Sequence, residues 1–246
     1  MTDVPTIPLS ALHPMAGDSL SLYLDGAAKN IWSTRHFSSD QYRQFVILDR
    51  AFEIAFQNFS DFGEDALFAP LLWRAWSSFR CTCMLVVSGQ SVEAYMLMRG
   101  CLESALYATH IEANPELRMV WLNRDKDEES RKACKNRFTY YRVAKTLEVN
   151  HKWLYEIMQQ LYEHTIDQGA HPNKLSVTDG LEINEDIHKR TLSFQFLVGG
   201  PEQVFKAREA AAHVGACALH ILQAGRPDYI KKLGIDVMIN AITKEL

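Results

Sequence analysis

The sequence predicts an all-α protein, folded as a single multi-helix bundle of about seven or eight helices. Apolar residues recur with helical spacing through most of the chain, and Asn, Ser, Asp, Pro and Gly fall where helices should start and stop. With 246 residues, 47% of them hydrophobic, the chain can bury a large core within one domain. We therefore expect one helical domain over residues 18–246 and a disordered or extended lead-in over residues 1–17, which holds Pro5, Pro8 and Pro14.

Four helices are expected in the first half of the chain. The first covers 18–32; the second begins at Ser38 or Ser39, whose hydroxyl can accept a backbone amide bond, and ends near 59. The third covers 67–87, has Pro70 in its first turn and is apolar nearly all round, which is typical of an enclosed central helix. The fourth covers 90–112 and carries one polar arc.

The second half is expected to hold a short helix ending near 122, a charged helix over 125–148 and a further helix that starts after Asn150. The helical period fails between 168 and 201, so we expect a short irregular or β-hairpin insert near 174–200. Helices over 202–224 and from 228 to the end complete the bundle. The insert is of interest because irregular connections in compact domains are often functional.

Composition favours a soluble, cytoplasmic protein. The first residues lack the basic and apolar regions of a signal peptide, and no stretch reaches the roughly 18 consecutive apolar residues of a membrane span. The five cysteines are odd in number and contain no Cys-x2-Cys pair, which favours reduced thiols. We therefore expect no membrane association, while the apolar helices permit a homodimer.

The chain is acidic, with a formal net charge of −4, but one stretch is basic. Residues 118–145 contain nine basic and four acidic residues, together with Tyr140 and Tyr141. This stretch could contact the phosphates of a nucleic acid, with the tyrosines available for stacking. Spacings such as Asp127 to Arg131 and Glu128 to Lys132 instead fit ordinary ion pairs on a solvated helix, so nucleic acid is not the favoured partner.

The strongest candidate site is the polar arc of the fourth helix, formed by Arg99, Glu103, Tyr107 and His110. At about 100° per residue these four side chains share one helix face. A guanidinium and a carboxylate on a helix with so little solvated surface need partners, because an unpaired buried charge is very costly. The simpler alternative is an Arg99–Glu103 bridge that satisfies only itself, with His110 placed to favour the C-terminal helix dipole.

A second candidate is the end of the helix that follows Asn150, where the chain runs through Gly-Ala into His171, Pro172 and Asn173. The residue before a proline is pushed to extended geometry, so His171 is expected at a junction between helix and loop. That position suits a general base or a ligand contact, although an exposed histidine in an ordinary turn is the alternative. The ligand-binding residues expected in this segment are Tyr162, Asp167 and Asn173.

The segments LMRGCLESALYATHI and YEHTIDQGAHPN together resemble a family of uncharacterised, all-helical bacterial proteins known as a domain of unknown function. The resemblance covers about residues 66–173 and implies that Arg99, Glu103 and His171 converge across the bundle. It implies no activity.

A third candidate, Arg208-x4-His213, is similar to the Arg-x4–6-His signature of HEPN-type ribonucleases. That resemblance implies RNA cleavage without a metal, with the two side chains at the scissile phosphate. Glu209 departs from the neutral residue that the family prefers after its arginine, and a spacing this short also arises by chance.

No metal or cofactor is expected. Glu148-x2-His151 and Glu185-x2-His188 have di-iron spacing, but the first pair straddles a helix start and the second lies in the insert. Two hypotheses remain. The first is an unassigned helical-bundle protein in which Arg99, Glu103 and His171 line a pocket for a small polar ligand or a protein partner. The second is a metal-independent, HEPN-like ribonuclease in a defence or toxin setting, using Arg208 and His213 or Arg99 and His171.

Overall fold

The computed structural model describes residues 18–59, 67–172, 174–178, 181–186, 189–197 and 201–245, and within them the protein is an all-α bundle. The expected lead-in, residues 1–17, and the expected ligand contact Asn173 lie outside the described residues. The structure contains more helices than the seven or eight expected, because several short helices connect the long ones.

The first four helices are α1 (Ser19–Phe37), α2 (Ser39–Gln57), α3 (Phe68–Ser88) and α4 (Ser91–Ala113). The Asp18 carboxylate caps α1 by accepting from the Ser21 backbone N–H at 2.9 Å. Ser38 occupies the N-cap position of α2 but makes no capping bond, contrary to expectation. Its hydroxyl instead accepts a hydrogen bond from Arg208 at 3.2 Å, so a tertiary contact replaces the local one.

The next helices are α5 (Leu117–Leu122), α6 (Glu128–Arg137), α7 (Tyr140–Asn150) and α8 (Lys152–Thr165). The expectation of one charged helix over 125–148 is wrong, because the helix is interrupted at Phe138 and Thr139. Phe138 is 7% exposed and turns into the core, and Thr139 caps α7 by accepting from the backbone N–H of Arg142. The burial of Phe138 and the new cap at Thr139 therefore divide the charged stretch into two helices.

The segment Ile166–Ala170, here called the π-helical segment, continues α8 through a kink at Gly169, which has the non-helical dihedral angles φ 163° and ψ −10°. Helix α9 (Lys174–Thr178) follows. The insert contains an antiparallel hairpin of β1 (Leu181–Asp186) and β2 (Lys189–Phe194), with Leu181 opposite Phe194. Helices α10 (Pro201–Gly225), α11 (Pro227–Lys232) and α12 (Ile235–Glu245) complete the described chain. The expected last helix is split in two because Gly234 adopts a left-handed φ of 69°.

Helices α3, α4 and α10 form the centre of the bundle and contribute fully buried side chains such as Phe79, Leu102 and Leu219. Gly215 lets α10 approach α3 closely, since a Cβ atom there would lie 2.5 Å from Cε2 of Phe79. The buried apolar residues form one continuous cluster from α2 to α12. In the ranges that the structure describes, none of the helices has the length and apolar character needed to cross a bilayer.

Candidate functional site

Arg99 and Glu103 form an ion pair one helical turn apart on α4. Nε of Arg99 donates to Oε1 of Glu103 at 2.8 Å, and the two side chains are 26% and 40% exposed. The same carboxylate oxygen accepts a hydrogen bond from the Tyr162 hydroxyl at 2.9 Å, which ties α4 to α8. The pair is therefore more than an intrahelical bridge, because its acid already has a partner on a second helix.

His171 contacts the other side of the guanidinium. Nη1 of Arg99 lies 2.6 Å from Nε2 of His171. A guanidinium has no lone pair and can only donate, so Nε2 accepts and the neutral ring carries its proton on Nδ1. No residue in the described ranges bonds to that Nδ1, and His171 is exposed. The structure thus brings Arg99, Glu103 and His171 together and leaves one N–H donor on the imidazole available.

The π-helical segment determines where His171 lies. Gly169 is buried against α4, and a Cβ atom there would lie 2.5 Å from the backbone oxygen of Val92. Only glycine allows this close approach. Beyond it, His171 takes the extended conformation favoured before proline, with φ −134° and ψ 150°. Sequence reasoning missed the π-helical turn, and its only signal was a glycine close to the end of a strongly periodic helix.

Two stacked tyrosines support the cluster. The rings of Tyr140 and Tyr162 lie 4.1 Å apart with an interplanar angle of 16°, and Cζ of Arg99 lies 5.0 Å from the Tyr162 ring centre. Burial, and next the charge of Glu103, raises the pKa of Tyr162, and burial raises the pKa of Tyr140 to about 12. Both are neutral phenols at neutral pH. Tyr140 was not expected here, because its stretch was predicted as one solvated helix.

Arg99 keeps its charge in this setting. Burial alone would lower the pKa of its guanidinium, but the hydrogen bond and the charge of Glu103 outweigh that effect and raise it. These side chains therefore combine one cation, one anion, two neutral phenols and an imidazole. We call them the Arg99 cluster, whose members are Arg99, Glu103, Tyr140, Tyr162 and His171.

Tyr107 and His110 share the α4 face with Arg99 but lie outside this cluster. The Tyr107 hydroxyl donates to the backbone oxygen of Phe138 at 2.9 Å, and its ring stacks on the Phe138 ring. Nδ1 of His110 lies 2.7 Å from the Thr146 hydroxyl, about 16 Å along the helix axis from Arg99. The four residues of the expected arc therefore belong to two separate environments, because the chain around Phe138 and helix α7 covers Tyr107 and His110.

Two further expected ligand contacts have different outcomes. Asp167 lies on the π-helical segment and is exposed, whereas Asn173 falls outside the described residues.

Arg208 and His213 are not brought together. Arg208 donates to hydroxyl oxygens of Thr34 at 2.6 Å and Ser38 at 3.2 Å, on the side of α10 that faces α1 and α2. His213 bonds to the backbone oxygen of Glu209 on its own helix and lines a different cavity. Five residues on a helix separate two side chains by about 140°, which places them on different faces.

Metal ligands do not cluster in the part of the chain that the structure describes, where no group of three His, Cys, Asp or Glu side chains could hold an ion. The basic stretch also differs from expectation at Arg131, which approaches Asp125 at 3.9 Å, while Asp127 caps α6. Comparisons with protein-family models, with curated proteins and with solved structures find no match to this chain.

Proposed function

We propose that the Arg99 cluster is a binding site for a small polar ligand that bears a carboxylate or carbonyl oxygen. The proposal is carried by one observation, the contact between Arg99 on α4 and His171, 72 residues later in the chain. A bridge that only neutralised Arg99 would need Glu103 alone. The second contact of Arg99 holds the exposed imidazole of His171 in a single orientation, with its Nδ1–H available to an acceptor.

Stability alone does not account for this arrangement. Contacts between partly exposed charged groups contribute about 0–1 kcal/mol, so holding an exposed ring by a guanidinium adds little to the free energy of folding. The ring is nevertheless bonded to Arg99, and the tight packing of Gly169 on Val92 fixes the backbone two residues before it. Positioned donors of this kind recognise ligand oxygens well, because a charged or polarised N–H shortens and strengthens the bond.

Ligand-observed NMR with acetate, succinate, citrate and acetamide tests the proposal. At least one of these oxygen acceptors should bind the wild-type protein, and Arg99→Gln and His171→Phe should each weaken binding about tenfold, the loss expected for one charge-assisted hydrogen bond. His36→Gln is the matched control, since His36 is also exposed but bonds only to the backbone of Trp32 on its own helix. Equal losses in all three variants, or no binding by any of the four compounds, would reject the site.

We propose metal-independent ribonuclease activity of HEPN-like character as the second candidate, on one observation. Arg99 and His171 supply a guanidinium and an imidazole in direct contact, whereas Arg208 and His213 face different cavities. In such a reaction the imidazole would take a proton from the attacking ribose hydroxyl and the guanidinium would bind the phosphate. Nε2 must first leave Arg99, because Nδ1 already carries a proton, and this requirement ranks the activity second.

Incubation with RNA in EDTA tests that candidate. Cleavage by the wild type that is lost in Arg99→Ala and His171→Ala, but retained in Arg208→Ala and His213→Ala, would support the nuclease. RNA that stays intact with the wild-type protein rejects it.

We further propose a cytoplasmic location and a protein partner on the exposed apolar surface. All five cysteines are free, and burial raises the pKa of the Cys217 thiol to about 12, so it stays protonated and unreactive. Exposed apolar side chains such as Trp32 and Trp73 permit a partner, including a second copy of the chain. Thiol titration of protein purified without reductant tests the location, and five free thiols are expected. Sedimentation velocity tests whether a second copy of the chain binds.

A further inference from the structure

A cavity lies at the far end of α4, between that helix, α6 and α7. Its volume is about 390 Å³, which falls within the range of small-molecule sites. The side chains that matter for its chemistry are His110, Glu116, Arg137, Tyr141, Arg142 and Lys145. This cavity is separate from the Arg99 cluster, so it does not rest on the function proposed for that cluster.

The cavity carries surplus positive charge. Lys145 has a partner, Glu148, at 2.8 Å. Arg137 and Arg142 form no ion pair with any residue in the described ranges, and Glu116 is the one acidic residue among those that line the cavity. Two guanidiniums at the rim of one concave surface attract and orient an anion, since their planar N–H groups match the oxygens of a phosphate or carboxylate.

His110 adds a partly satisfied donor at the inner wall. It is 6% exposed, its Nδ1 lies 2.7 Å from the Thr146 hydroxyl and 3.4 Å from the Asn114 amide nitrogen, and its Nε2 is buried without a hydrogen-bond partner of ordinary geometry. An amide nitrogen only donates, so Nδ1 accepts and Nε2 carries the hydrogen. The Arg137 backbone offers this N–H an acceptor, but not at ordinary hydrogen-bond geometry, so the donor is only partly satisfied.

The charge state of His110 agrees with this geometry. Burial lowers the pKa of its imidazole, and the Arg137 backbone and the Glu116 charge oppose that effect only in part. The ring is therefore neutral at neutral pH and presents a single donor. At the mouth of the cavity the Tyr141 ring is 71% exposed and offers a flat surface to whatever the anion carries.

We propose that this cavity binds the phosphate group of a small phosphate monoester. Arg137 and Arg142 neutralise the phosphate, Nε2–H of His110 donates to one of its oxygens, and Tyr141 packs against the organic group. The same basic residues on an open surface would suit the backbone of a nucleic acid, but here they line one cavity of about 390 Å³, a volume that suits a small molecule.

Calorimetry and NMR with AMP, inorganic phosphate and adenosine test the proposal on the full chain. AMP and inorganic phosphate should bind and shift the His110 ring signals, and adenosine should do neither. The double variant Arg137→Gln/Arg142→Gln should weaken AMP binding at least about tenfold, because each lost charged contact weakens binding about that much. The matched control is Lys132→Gln/Lys135→Gln, which removes the same charge from exposed α6 positions that do not line the cavity.

Three results would overturn it: AMP that leaves the His110 signals unchanged, adenosine that binds as tightly as AMP, or a control variant that weakens AMP binding as much as the arginine double variant. A short single-stranded RNA that binds while AMP and inorganic phosphate do not would also overturn it, and would assign the surface to nucleic acid. Both double variants change exposed side chains, so the fold should be kept, and circular dichroism of each verifies this.

Discussion

Arg99 contacts three side chains, one on its own helix and two from later in the chain, and each contact uses a different part of the guanidinium. Its Nε bonds to Glu103, its Nη1 to His171, and its flat face lies over the Tyr162 ring. The Arg99–Glu103 pair was predictable, because residues four apart meet on a helix. The contact with His171 was implied only by the family resemblance, since sequence spacing carries no information on which loop covers a helix face.

Replacing Glu103 with Gln should lower the pKa of Tyr162. The carboxylate is one of the causes that raise it, but burial is the larger one, so the pKa should stay above the ordinary tyrosine value of about 10. An absorbance titration of tyrosinate measures the change. Glu156→Gln, at an exposed α8 carboxylate, is the control, and identical titrations of the two variants would contradict the contact.

The raised pKa of Tyr162 also sets a pH dependence of stability. The unfolded chain ionises this tyrosine near pH 10 and the folded chain only at higher pH, so its contribution is fully present below about pH 10 and is lost as the pH rises through the folded value. Urea unfolding at increasing alkaline pH should show the free energy of unfolding falling, less steeply in Tyr162→Phe. Parallel profiles for the two proteins would contradict this account.

Among the elements, the π-helical segment is the one that builds the site and the one that sequence reasoning did not foresee. The helical spacing of apolar residues locates α4 and α8 well, because both helices are long, α4 is largely apolar and α8 is amphipathic. It cannot show the kink in the last turn, where Gly169 leaves helical geometry and packs against the Val92 carbonyl. The split of α6 from α7 was missed for a similar reason, since the burial of Phe138 is a tertiary effect.

Gly169→Ala should push the segment away from α4 and destabilise the protein by about 1–3 kcal/mol, the usual cost of overpacking. It should also weaken the Arg99–His171 contact. Gly100→Ala is the matched control, because the nearest atom to its added Cβ would be the Ser78 hydroxyl at an ordinary 3.6 Å. That variant should gain about 0.5–1 kcal/mol from helix propensity. Urea unfolding of both measures the difference, and a Gly169→Ala protein as stable as Gly100→Ala would contradict the packing.

For the whole molecule, the all-α class followed from a period that runs through most of the chain, and the structure confirms it. The number of helices was underestimated because the expected helix over 125–148 divides into α6 and α7, and the expected last helix divides into α11 and α12. In addition, α9 is five residues long and too short to show a period. The central position of α3 was predicted from its apolar sequence, but neither its packing with α4 and α10 nor the Gly215 contact with Phe79 was predicted.

Gly215→Ala tests that centre. The added Cβ would press on the Phe79 ring, which is 1% exposed and packed against Phe45 and Phe52, so the ring has no room to move. We expect a loss of about 1–3 kcal/mol in the free energy of unfolding. Because the buried residues form one cluster, circular dichroism and tryptophan fluorescence should report the same transition. Wild-type stability in this variant would contradict the close approach of the two helices.

The protonation of His171 is the most direct test of the Arg99 cluster. Long-range proton–nitrogen correlation NMR of the imidazole should find the proton on Nδ1 and an unprotonated Nε2 that accepts from Arg99, as the 2.6 Å contact requires. Arg99→Gln should change the Nε2 signal while His36 stays unaffected. A proton on Nε2 at neutral pH, or a His171 spectrum that does not respond to Arg99→Gln, would show that the guanidinium does not hold this ring.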